Sequence, residues 1–207
     1  DAIYNQFASM IEFEEQLAQV KLNFVVNLLV TELASAPTDP NIQSTLEQCY
    51  QSAVDQNPQA DPDCIQDVLS NTNQTIYDSQ QQLGYCANLT HGWLVAKGQL
   101  PQAYAANTTL SNIVDDILTQ AQKCAKRFGN NPRKEYNCML KVQQQNNDAW
   151  QNATTVIQQV YDMLSGVSLL VGLNVNDCVG LEDGTLGAKC AGITADVVAC
   201  TQNATSH

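Results

Sequence analysis

Residues 122–140 read QKCAKRFGNNPRKEYNCML, and the turn at their centre decides the fold. Phe128 is followed by Gly129-Asn130-Asn131-Pro132. A glycine after the last apolar helical position is a stop signal, and Asn before Pro is an N-cap with proline at the first helical position. The spacing predicts a helix ending near Phe128, a Gly129 C-cap, and a new helix capped by Asn131. Cys124 and Cys138 flank this turn at similar depth, so an antiparallel hairpin brings their Cα atoms within disulfide reach, about 5 to 6 Å. Closing a loop of this length stabilises by ~3 kcal/mol in the chain-entropy description. Zinc and thiol redox chemistry both fit less well. Each favours CxxC or close Cys/His pairs, whereas the chain has no CxxC and its only histidines are His91 and His207.

The same helix-start chemistry recurs at Asp39-Pro40 and Asp61-Pro62. Before the first of these, apolar residues from Phe7 to Leu33 repeat at helical spacings, ending near Ala36. A second helix is expected over about 40–56, and a long one from 62 that breaks near Gly84 or Gly92. Pro101 interrupts that helix or starts the next, and another long helix runs on from 132. Sustained period-two alternation is absent, so strands are not expected. The predicted fold is all-α: a disulfide-stapled bundle of about five helices, several of them long, with a Cys/Gly-rich C-terminal segment. Residues 1–173 form the bundle. Residues 174–207 are expected as short helix and loop, pinned by disulfides against the same domain.

Eight cysteines stand at Cys49, Cys64, Cys86, Cys124, Cys138, Cys178, Cys190 and Cys200. Cys49 and Cys64 span a proline-started helix as Cys124 and Cys138 do, so they are expected to staple a second hairpin. The remaining four can pair in three ways, and Cys86–Cys178 with Cys190–Cys200 is the expected arrangement. Sequons occur at Asn73, Asn88, Asn107, Asn152 and Asn203. Together with the even cysteine count and an N-terminal Asp in place of Met, they describe the mature form of a secreted, N-glycosylated protein. A chain of 207 residues can bury roughly 70% of its unfolded surface. The net charge of −12 argues against nucleic-acid binding, which needs a positive field. No transmembrane segment is expected either, because Asn23 and Asn27 interrupt LNFVVNLLV, the most apolar run.

The charge is unevenly spread. Lys123, Lys126, Arg127, Arg133, Lys134 and Lys141 are six of the nine basic residues, gathered at one hairpin tip. Lys126, Arg127, Arg133 and Lys134 are the candidate docking patch for an anionic surface, a sulfated glycan or an acidic partner. The plain alternative is a solvated tip. Catalytic signals are missing: there is no HExxH, no GxSxG and no phosphate loop. His91 lies one residue past a sequon threonine, and the adjacent acids Glu14-Glu15 and Asp115-Asp116 diverge on a helix. No enzyme is expected, and no cofactor or metal is called for. Apolar binding fits better. LNFVVNLLV and LSGVSLLVGLNV, the latter with Gly166 and Gly172, could hold a lipid or other hydrophobic ligand between helices. Phe24, Leu28, Val167, Leu170 and Val171 are the candidate lining. The same stretches could be plain core, or the seam of a homo- or hetero-oligomer.

The run CAKRFGNNPRKEYNCMLKVQQQNNDAWQNATTVIQQV, followed by NVNDCV, resembles the secreted insect proteins carrying the TsetseEP-type domain. Cys124, Cys138, Asn152-Ala153 and Cys178 carry the likeness, within residues 86–178. It implies a helical extracellular glycoprotein of insect gut, haemolymph or secretions, with no known catalytic residues. The function expected is therefore a secreted helical protein that carries an apolar small molecule. The alternative is a structural or host-defence glycoprotein acting through its surface or through oligomeric contacts.

Overall fold

The computed structural model describes residues 2–35 and 37–204, with the side chains of residues 203 and 204 excepted. Five helices follow in order: α1 (Ala2–Ala34), α2 (Pro40–Gln56), α3 (Pro62–Leu89), α4 (His91–Phe128) and α5 (Pro132–Ala204). No strand occurs among the described residues. The protein is an all-α, disulfide-stapled bundle.

Local chemistry explains the starts. Asp39 accepts from the Asn41 amide at 2.9 Å, Asp61 from the Asp63 and Cys64 amides at 2.9 and 3.1 Å, and Asn131 from the Lys134 amide at 3.1 Å. Each cap satisfies amides that lack an intrahelical partner, and each is followed by proline. Two expectations are corrected. The turn after Phe128 closes through the Asn131 amide donating to the Phe128 carbonyl, and among the described residues no glycine has a positive φ, so Gly129 is not a left-handed cap. Pro101 neither breaks nor starts a helix: it lies inside α4, with fully buried Ala96 and Ala103 on either side to hold the helix in the core.

The chain divides into two units that interleave in sequence. One comprises residues 1–31 and 95–169, the other 32–94 and 170–207, so α4 and α5 contribute to both. In the first unit, Phe7 and Ile11 of α1 pack with Val114, Ile117 and Ala121 of α4 and with Met139 and Val142 of α5. The Cys124–Cys138 disulfide ties α4 to α5 there, with 5.8 Å between Cα atoms, as the hairpin reading expects.

In the second unit, Ile42, Leu46 and Leu83 pack with Cys178, Leu186 and Ile193 of α5, while Val68 packs with Val197 and Cys200. The C-terminal segment is thus continuous helix, not short helix and loop. Cys178, Leu186, Ile193, Val197 and Cys200 all fall on its buried face, which offsets the cost of four glycines at 180, 184, 187 and 192. That continuity changes the disulfides. Cys86 pairs with Cys178 as expected, but Cys49 pairs with Cys190 and Cys64 with Cys200. Cys190 and Cys200 lie about 15 Å apart along one helix, far beyond disulfide reach. Cys49 sits seven residues before the end of α2 and Cys64 two residues into α3, so the two stand at unequal depth from their turn. Cys49 and Cys64 therefore do not staple a second hairpin as Cys124 and Cys138 staple the first.

The glycines differ in their surroundings. A Cβ on Gly166 or Gly172 would meet nothing within 4 Å, so neither permits close packing. Gly172→Ala is expected to stabilise by up to ~1 kcal/mol through helix propensity alone, read as a rise in the urea midpoint with an unchanged m-value. The close approach is at Gly92, whose Cβ would stand 2.9 Å from the Val171 amide nitrogen.

Candidate functional site

The most apolar helix does not use all its apolar surface for folding. α1 buries Phe7, Ile11, Leu22, Val25, Val26 and Leu29. Its other side carries Met10, Phe13, Leu17, Val20 and Phe24, which are 40, 59, 57, 56 and 69% exposed. Leu28 continues this surface at 41% exposure. Both α1 and the 132–202 part of α5 contain a stretch long and apolar enough to cross a membrane, and only 22% of each stretch is buried. The asparagines at 23 and 27 therefore do not remove that property from α1. Contiguous exposed apolar surface of this kind is unusual on a chain that faces water.

Of the candidate ligand-lining residues, Phe24 and Leu28 point outward, Val167 and Val171 are buried and Leu170 is half-buried. Phe24, Leu28 and Val167 belong to the first unit, Leu170 and Val171 to the second. Grooves open elsewhere. One of about 230 Å³ is walled by Ile3, Gln6, Phe7, Met10 and Tyr136, and so adjoins the outward surface of α1 through Met10. Another, of about 240 Å³, lies between Ala106, Thr109, Ala149, Asn152, Ala153 and Val156. A glycan on Asn152 would lie over that second groove.

The sequons differ in setting. Asn73, Asn88 and Asn152 are exposed, whereas Asn107 is half-buried and its Nδ2 donates to Asn23 Oδ1 at 2.7 Å. The side chain of Asn203 and the whole of His207 lie outside the described residues. At the α4–α5 tip, Lys123, Lys126, Arg127, Arg133, Lys134 and Lys141 are all exposed, and the Arg127 guanidinium lies 5.1 Å from the Phe128 ring centre. Among the described residues none of the six joins an ion pair. The tip thus exposes six cations, with no further feature to define a ligand. His91 stands exposed in the first turn of α4.

One polar cluster had no sequence signal. In the second unit Lys189 donates to Glu182 Oε1 and to Ser79 Oγ, both residues being buried. Asp39 is also buried, and its Oδ2 is unpartnered. The Asp183 carboxyl is held above its ordinary range, first by desolvation, then by the nearby Asp39 carboxylate, and least by Glu182. Glu32 is raised by burial. A raised carboxyl binds its proton more tightly in the folded state, so its stabilising contribution holds at acid pH and is lost as pH rises above the usual carboxylate range. Asp183→Asn is expected to melt higher than the wild type at pH 7, with the difference vanishing near pH ~3. Among the described residues no group of three His, Cys, Asp or Glu is placed to hold a metal ion.

Four disulfides, with no free cysteine, mark a protein that folds in an oxidising setting, as extracellular and secreted proteins do. What fold and site define is a class: an all-α, disulfide-stapled bundle with an outward apolar helix. No family model, curated protein or solved structure matches the chain.

Proposed function

We propose that this is a secreted, N-glycosylated binding protein that engages an apolar partner across the outward face of α1. The likeness to TsetseEP-type secreted proteins belongs to the same reading. The observation that carries it is the exposure of Phe13, Leu17, Val20 and Phe24, each more than half exposed, on a helix whose opposite side is already packed. Keeping such residues in water forgoes about 1.5–3 kcal/mol per side chain relative to full burial, which a partner recovers on docking. The test is binding of an apolar fluorescent probe at nanomolar protein concentration. The wild type is expected to bind, and Phe13→Glu/Phe24→Glu to lose about tenfold in affinity with its melting temperature unchanged. Equal binding by the two would overturn the reading.

A carrier of a lipid- or pigment-type molecule is the second reading, favoured by the groove of about 230 Å³ beside Met10. Native mass spectrometry of protein from its natural source, before and after organic extraction, decides it. Excess mass that leaves on extraction supports a cargo, and an identical mass before and after excludes one.

A further inference from the structure

The outward residues of α1 have a spacing of their own. Met10, Phe13, Leu17, Val20 and Phe24 succeed one another by three, four, three and four residues. That is the a/d rhythm of a coiled-coil seam, in which each side chain fits between four of a facing helix. The buried stripe of α1, from Phe7 to Leu29, is separate and already packed. On one flank of the seam stand Glu14 and Lys21, and on the other Gln16 and Asn23. Lys21 is one of only three basic residues outside the hairpin tip, which makes its place beside the seam informative.

We infer that a second copy of this chain covers the outward face of α1, antiparallel and related by a two-fold axis passing between Leu17 and Val20. The inference rests on the reading that an apolar partner docks there, and names that partner. In this pairing Phe13 meets Phe24 of the second copy and Leu17 meets its Val20. Glu14 then faces Lys21 of the second copy, and the symmetry makes this charge pair twice. Gln16 faces Asn23 on the opposite flank. A parallel pairing in register sets Lys21 beside Gln16 and Glu14 beside Ser9, with no opposite charges together. Charge complementarity therefore selects the antiparallel form. All five sequons lie outside α1 itself. Asn107, which borders the seam, has its Nδ2 engaged by Asn23.

Sedimentation equilibrium on the intact glycosylated protein, over a wide concentration range, tests the inference. The expected result is a reversible dimer that Phe13→Glu/Phe24→Glu abolishes. Both side chains are exposed, so circular dichroism and melting should be unchanged. Lys21→Glu sets like charges together at two places and should weaken the dimer about tenfold. Glu14→Lys/Lys21→Glu restores opposite charges only in the antiparallel form, and should recover wild-type association to within about twofold. A protein that stays monomeric at every concentration overturns the inference. If that monomer binds the apolar probe or phosphatidylcholine vesicles in a way that Phe13→Glu/Phe24→Glu removes, the face meets lipid or another partner, and the binding reading stands alone. If it binds neither, both fall. A dimer indifferent to the Phe13 and Phe24 changes, or one that the double charge swap fails to restore, also overturns the pairing described.

Discussion

Cys64→Ser/Cys200→Ser is expected to lose ~3–4 kcal/mol of unfolding free energy. The bond spans 136 residues, but its worth is set by the shorter path through the remaining bridges. Running from Cys64 to Cys49, across to Cys190 and on to Cys200, that path is about 25 residues long, and the chain-entropy relation gives the stated value. Urea unfolding of the oxidised proteins measures it as a fall in midpoint with little change in slope. The single substitution is equally informative. Cys64→Ser should expose one titratable thiol, at Cys200 and not at Cys49.

The second large effect is at Gly92. Its backbone N–H donates to Asn174 Oδ1 at 3.0 Å, and a Cβ there would lie 2.9 Å from the Val171 amide nitrogen and 3.0 Å from the Leu170 carbonyl carbon. Those neighbours are backbone atoms of α5, which cannot rotate away as a side chain would. Overpacking of this kind costs ~1–3 kcal/mol, and loss of the hydrogen bond adds ~1 kcal/mol. Alanine's helix propensity returns ~1 kcal/mol of that. Gly92→Ala should therefore destabilise by about 2 kcal/mol while Gly172→Ala moves the melting temperature the other way. Thermal unfolding of the pair, read side by side, separates close packing from propensity.

The helix starts were legible because each is a local event: Asp39, Asp61 and Asn131 need only their own following amides and a proline. Cys124–Cys138 was legible for a similar reason, since one short turn fixes its geometry. The other bridges depend on α5 remaining helical through its glycines, and glycine content pointed the other way. Yet the signal was present. Cys64 to Cys86 and Cys178 to Cys200 are both 22 residues apart, the equal spacing that two antiparallel helices bonded at both ends require. Cys178, Leu186, Ile193, Val197 and Cys200 also keep a helical period. Gly92 could not be told from Gly166 or Gly172 by sequence, because close approach is a property of the neighbouring helix.

The candidate site was half legible. LNFVVNLLV is unusually apolar, but α1 carries apolar residues on two faces, so Phe7 and Ile11 of the core could not be separated by sequence from Met10, Leu17 and Phe24 of the outward face. Only the positions of α4 and α5 divide the two stripes. The Lys189–Glu182–Ser79 contact had no local signature, since Ser79 lies on α3 and its two partners on α5.

Hydroxyl-radical footprinting of the protein in its native fluid, set against the purified protein at nanomolar concentration, tests the outward face of α1 most directly. If that face docks an apolar partner, Met10, Phe13, Leu17 and Phe24 will be strongly protected in the fluid and labelled on dilution, while exposed Tyr77 and Tyr85 of α3 react alike in both. Equal labelling of the α1 residues under the two conditions would show the face bare in its working environment, and would contradict its role as the binding surface.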